Sequence, residues 1–350
     1  IMIGYRQSLF GYNSLKWDKR IEPVRYQEAK KSYVETLELV SANAINKFFA
    51  LATAQSNYDI ASFNYANADT LYRYAQGRYN IGTITENEML QLELNRLTEE
   101  TNRMNARIEM DNCMQELRSY LGIQEEREIR VRVSSRIPDF SINLNEALTL
   151  AYENSPDIQT MKRRKLESES AVARARANAG LKADIYLRFG LTQTADKLPE
   201  AYRNLLDQQY VSLSISLPIL DWGRGKGQVR VARSNRDLVY TQVEQNRTDF
   251  ELNVRKLVKQ FNLQTQRVRI AARTDETAQR RNEVARKLYI LGKSTILDLN
   301  ASISEKDSAR RNYVSALYNY WSLYYTLRSM TLYDFESNKL LTEDYNLLIE

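Results

Sequence analysis

Asp298 and Glu88 are the residues whose type and spacing most readily suggest chemistry. Each is a carboxylate six residues beyond a glycine, in the stretches YILGKSTILD (289–298) and YNIGTITENE (79–88). In the first turns after a chain break, a carboxylate stabilises a helix N-terminus through the macrodipole. Other chemistry is poorly equipped. The 350 residues include no histidine, which removes the commonest general base and zinc ligand. The lone Cys113 can form neither an internal disulfide nor a zinc cluster. No catalytic triad, phosphate loop or metal-ligand constellation is present, so the sequence reads as neither an enzyme nor a metal or cofactor protein.

Long helices must position these two acids. Only 11 glycines and five prolines punctuate the chain, which predicts few, uninterrupted elements. The turn glycines stand 292 − 82 = 210 residues apart. The same offset lays Ala75 on Ala285, Tyr79 on Tyr289, Thr85 on Thr295, and Leu117-Arg118-Ser119 on Leu327-Arg328-Ser329. Upstream it lays SLFGYN (8–13) on PILDWG (218–223). One register held through strand, turn and helix is the mark of an internal duplication.

Two periods alternate inside each unit. In ADIYLRFGLTQT, Ile185, Leu187, Phe189 and Leu191 alternate with polar or small residues, and in VSLSISLPI so do Val211, Leu213, Ile215 and Leu217. Period-2 alternation predicts strands with one apolar and one polar face. It suits a half-buried sheet or a membrane β-barrel; two strands per unit cannot bury a face alone. The helical signal runs from Tyr33 through Leu37, Val40, Ala44, Lys47, Leu51, Ala54, Tyr58, Ala61, Tyr65, Ala68, Tyr72 and Ala75 to Tyr79 in steps of four and three. That is a heptad seam. It is expected to continue on the returning helix through Leu90, Leu94, Leu97, Thr101, Met104 and Ile108. In the second unit it passes through Leu299, Ile303, Lys306, Arg310, Tyr313, Leu317, Tyr320, Tyr324 and Leu327. Residues 224–290 alone make about 100 Å of helix, longer than a compact domain of this mass is wide. Pro23 is expected to kink the first long helix.

The net charge of +6 is spread over 50 basic and 44 acidic residues without a block of one sign. The best basic stretches, MKRRK (161–165) and RKLVKQ near residue 257, read as solvated helix faces, so no nucleic-acid partner is inferred. No run of 18 apolar residues predicts a transmembrane helix, and no signal peptide is visible.

Together, the duplicated strand-strand-helix-helix unit, PILDWGRGKGQVRVAR, NLNEALTLAYENSPDIQTMK and the turns YNIGTITENE and YILGKSTILD resemble the outer-membrane efflux proteins, the TolC-like exit ducts of Gram-negative bacteria. The resemblance spans essentially the whole chain. It implies a mainly α fold with a β-barrel part. A homotrimer would form one 12-stranded barrel in outer-membrane lipid, joined to a periplasmic α-helical barrel. Such a duct conducts passively between a periplasmic adaptor, an inner-membrane transporter and the exterior. It serves a tripartite efflux pump or type I secretion, with cargo set largely by the transporter. Asp298 matches a carboxylate that closes the periplasmic aperture in the family, and Tyr289 a tyrosine of inter-helix gate contacts. A second family acid would fall at Ala301, so the double ring is absent; Glu88, the counterpart of Asp298, is the candidate substitute. Ile81, Gly82 and Thr83, with Leu291, Gly292 and Lys293, match the adaptor-docking tips. The strand residues from Ile185 to Leu217 named above match the lipid-facing set.

The expected division is a first repeat at 1–123, a linker at 124–143, a second repeat at 144–333 and a tail at 334–350, with linker and tail lying across the helices at mid-height. Because the second unit passes through a helix and a strand before reaching the partner of Ile1, roughly 65 residues and a signal peptide are expected upstream. The competing reading is a soluble coiled-coil scaffold, against which the amphipathic strands argue.

Overall fold

The computed structural model describes residues 2–124, 128–134, 137–192, 205–291 and 293–341. Strand β1 (Met2–Ser8) leads into helix α1 (Ser14–Asn80), and α2 (Glu86–Tyr120) returns from it. Helices α3 (Leu144–Asn154) and α4 (Pro156–Ala179) precede strands β2 (Lys182–Thr192) and β3 (Leu206–Ser216). The pattern then repeats with α5 (Arg224–Ile290) and α6 (Ile296–Thr331), and a small β4–β5 pair (Tyr333–Asp334 and Lys339–Leu340) follows. The duplication is visible in the element bounds. α1 and α5 are both 67 residues long, and their starts at 14 and 224 are 210 residues apart. α2 and α6 start at the same offset, at 86 and 296. α1 runs unbroken through Pro23.

Two compact units divide the chain: Ile1–Ser32 with Ser155–Leu252, and Tyr33–Asn154 with Asn253–Glu350. The first holds an antiparallel sheet of order β1-β2-β3. In the same unit, α4 is tied to the neighbouring ends of α1 and α5 by charge. Arg163 grips Glu28 at 2.6 Å and Glu167 at 3.0 Å, holding the Glu28 carboxyl below its ordinary range. Lys165 meets Glu244 at 2.8 Å, so MKRRK is engaged in ion pairing between helices rather than presented as a basic stripe. The PILDWG passage from strand to helix has a local cause. Trp222 and Gly223 take positive φ of 52° and 79°. The Asp221 carboxylate accepts from the Gly225 and Gly223 amides, which holds it below the usual carboxylate range. A Cβ at Gly225 would come 2.8 Å from Asp221 and 3.0 Å from Ala179, so only glycine fits there.

The second unit carries an aromatic core. Tyr320, Tyr324, Phe261, Leu317 and Leu327 are fully buried, and the Phe261 and Tyr320 rings stand 5.1 Å apart. Phe140 of the linker closes this cluster against Phe261 at 5.4 Å. The described linker residues lie across these helices: Gln55 bonds Ile129 and Val131, Asn262 bonds Ile142, and Tyr320 donates to the Pro138 carbonyl. Polar rungs interrupt the core. Asp275 on α5 meets Arg310 on α6 at 3.2 Å, Asn282 meets Ser302 at 3.0 Å, and Asn64 on α1 donates to Asp307 at 2.7 Å. Buried pairs of this kind fix one register between helices that could otherwise slide.

Candidate functional site

Among the described residues the two hairpin turns share one closing bond. At the first, Gly82 has φ +74° and its amide donates to the Tyr79 carbonyl, while the Thr83 amide reaches the Arg78 carbonyl at 2.9 Å. At the second, the Lys293 amide reaches the Leu288 carbonyl at the same 2.9 Å; Gly292 lies outside the described residues. α2 and α6 then open with identical capping boxes. The Glu88 amide donates to Thr85 Oγ1 at 3.2 Å, and the Thr85 amide returns to Glu88 Oε2 at 2.9 Å. The Asp298 amide donates to Thr295 Oγ1 at 3.2 Å, and Asp298 Oδ2 accepts from the Thr295 amide at 3.3 Å. Both candidate gate acids therefore satisfy free amides at helix starts. Asp298 also accepts from the hydroxyls of Thr295 (2.7 Å) and Ser294 (3.3 Å). These bonds, Thr295 first, hold it below the ordinary carboxylate range, so it is charged at neutral pH.

Around these caps the tips expose apolar side chains: Ile81 is 73 % and Leu291 67 % exposed. Leu297 joins them at 76 %. Its counterpart in the first unit is Asn87, so comparison of the two repeats does not single it out. Thr83 and Lys293 are exposed as well. Tyr289 lines a cavity of about 250 Å³ with Asn67, Tyr74, Asn282, Leu299 and Ile303.

Register gathers the strand residues. Ile185 faces Leu213, Leu187 faces Val211 and Ala183 faces Ile215, so these share one face of the sheet, with Phe189 and Leu191 farther along β2. β1 adds Ile3 opposite Phe189 and Tyr5 opposite Leu187, two residues that the short alternation in MIGYRQS does not single out. Leu217 lies just past β3 and is exposed. The opposite face carries Arg6, Lys182, Asp184, Tyr186, Arg188, Tyr210 and Ser212, Ser214 and Ser216. Val211, Leu213 and Ile215 are each at least 60 % exposed. This face is open along β3, while Ala183 at its end is buried; among the described residues no helix is long and apolar enough to cross a membrane.

The seam on α2 departs from expectation, because it does not form a core within the chain: Leu90, Leu94, Leu97, Met104 and Ile108 are 45–60 % exposed. Its twin α6 buries Leu299, Tyr313, Leu317, Tyr320, Tyr324 and Leu327. The heptad pattern states that a helix surface is sticky but not whose surface covers it. Exposed apolar positions also recur at multiples of seven residues on α5, at Leu263, Ile270 and Val284.

A family model, that of the outer membrane efflux proteins, matches residues 147–331, more than half of the chain. The chain belongs to the outer membrane efflux protein family. Solved structures of the same fold cover nearly all of it. The outer membrane channel CmeC of Campylobacter jejuni superposes with TM-score 0.78 and 16 % identity, over 99 % of this chain and 72 % of that one. The outer membrane protein VceC of Vibrio cholerae gives 0.73 and 15 %, over 94 % and 78 %. The Neisseria gonorrhoeae MtrE outer membrane channel, solved in its open state, gives 0.73 and 14 %, over 98 % and 80 %. No curated protein matches the sequence. As a family member, the chain has the expected mainly α fold built from duplicated strand and long-helix units, with a sheet left open in the single copy.

Proposed function

We propose that three copies of this chain assemble into an outer-membrane exit duct of a Gram-negative bacterium, passively conducting cargo delivered by an inner-membrane transporter through a periplasmic adaptor. The observation that carries this is the sheet. It has one face that is apolar through its middle, at Tyr5, Ile185, Leu187, Val211 and Leu213, and, among the described residues, two unpaired edges, β1 and β3. In lipid every backbone group must be paired, so such a sheet is stable only when copies close it into a barrel, 12 strands being the count the family implies. The exposed stripes on α2 and α5 are consistent with this, because two different sticky surfaces on one chain make head-to-tail contacts, which form a ring where the rotation closes.

In this reading Ile185, Leu187, Phe189, Leu191, Val211, Leu213, Ile215 and Leu217 face lipid. The tips at Ile81–Thr83 and Leu291–Lys293 meet the adaptor, and Asp298, Glu88 and Tyr289 narrow the periplasmic aperture. Small-molecule efflux is favoured over type I secretion as the commoner use of such ducts. The test is purification in detergent, sizing by light scattering, and conductance in planar bilayers. A conducting trimer is expected; a detergent-free soluble monomer without conductance would overturn the proposal.

A further inference from the structure

The polar face of the sheet carries an imbalance of charge with a functional consequence. Reading across the register, Gly4, Arg188 and Tyr210 form one row, Arg6, Tyr186 and Ser212 the next, and Ser8, Asp184 and Ser214 a third, with Lys182 beside Ser216 at the end. Three cations thus share this face with a single carboxylate. Asp184 is taken by Arg6 at 3.8 Å. Among the described residues Arg188 reaches the neutral Gln208, at 3.4 Å, and its buried Nε has no partner. Among the described residues no carboxylate pairs with Arg188 or Lys182. Beside Arg188 the Tyr186 and Tyr210 rings pack at 6.1 Å, and the Tyr186 hydroxyl occupies the space that a side chain at Gly4 would need.

We propose that this face is an anion-preferring belt, with Arg188 and Lys182 as the residues that set charge selectivity and planar carboxylates as the best-fitting anions. The inference rests on the duct reading, in which this face lines the lumen. Around a threefold axis the excess charge would be repeated in each copy. Rings of arginine and lysine favour anions, because unpaired cations near a low-dielectric wall are only partly screened. A guanidinium matches a carboxylate in a planar, two-point geometry, and the adjacent tyrosines offer a surface for an attached aromatic ring. The belt is opposite in sign to the acidic caps of Glu88 and Asp298, so selectivity at the strands and at the tips is separable by mutation.

The experiment is reversal-potential measurement on the full chain in planar bilayers under a potassium chloride gradient, repeated with potassium benzoate. The wild type is expected to prefer the anion at this belt. Lys182→Gln with Arg188→Gln should lower anion-over-cation permeability several-fold and weaken benzoate permeation, whereas Arg188→Lys should keep chloride selectivity and lose part of the benzoate preference. Ser214→Lys, which adds charge on the same face without removing a contact, should raise anion preference. Conducting channels with unchanged reversal potentials in these variants would overturn the belt alone. A wild-type chain that forms no conducting channel would overturn the duct reading, and the belt with it.

Discussion

The two returning helices, α2 and α6, begin with the same capping box at the same offset and end in the same Leu-Arg-Ser, yet bury opposite amounts of themselves. α6 sinks Tyr320, Tyr324, Leu317 and Leu327 into a core shared with Phe261. α2 leaves Leu94 at 60 % and Ile108 at 59 % exposure. α2 does bury Met110 and Leu117 against Leu51 and Ala54 of α1, but the part of it nearer the tip offers its seam outward, whereas α6 stays buried along most of its length. Copies of one motif therefore divide their apolar surface differently between the chain's own core and the outside.

That division can be broken most severely on α2. Leu94→Asp with Met104→Asp should abolish the trimer in detergent, read by light scattering, while circular dichroism keeps its helical signal; an intact trimer would dissolve the contrast. The corresponding break on α6 is internal. Tyr320→Ala should cost about 3–5 kcal/mol through lost burial and the cavity left behind, seen as a lowered thermal midpoint. Alkali should act on the same core. Burial raises the Tyr320 and Tyr324 phenols above their ordinary value, so their contribution is complete below about pH 10 and is lost as pH climbs toward the raised values. A chain whose unfolding midpoint is flat through that window would show the tyrosines to be exposed.

Smaller effects test what the two helices share. Thr85→Ala and Thr295→Ala should each cost about 1 kcal/mol, visible as faster amide exchange in the first turn of α2 and α6 respectively. An acid limb is expected at the second tip. The lowered value for Asp298 means that its cap is fully formed above about pH 4 and is lost as pH falls through the depressed value. Exchange at the amides of 296–299 that accelerates only below that range would agree, and acceleration near neutrality would not.

Much of this was legible because it is local or repeated. The offset of 210 found from glycines and tyrosines reproduces the starts of four helices, and period-2 alternation in 183–193 and 210–218 marks two strands. Non-local facts were not legible. Nothing in MIGYRQS announces that Tyr5 will sit opposite Leu187, because strand register is set by a partner some 180 residues away. Lys306 and Arg310 are two charged members of the heptad seam of the second unit, and the sequence does not say what they meet. The structure gives them partners: Lys306 lies over Phe63 beside Asp307, and Arg310 reaches Asp275. For the tip acids, spacing alone could not separate a capping role from a pore-lining one, since the first turn of a helix serves both.

The equal length of α1 and α5 has an evolutionary consequence. Each 67-residue helix is keyed to its neighbours by polar rungs, Asn64 to Asp307 on one side and Asp275 to Arg310 on the other. A lineage that lost one heptad from α1 alone would bring Asn64 to the wrong turn of α6 and leave Asp307 without its amide donor. Insertions and deletions in these helices are therefore expected to be inherited as matched sets, removed or added in all four helices at once, so that related chains differ in length by discrete steps rather than by single residues.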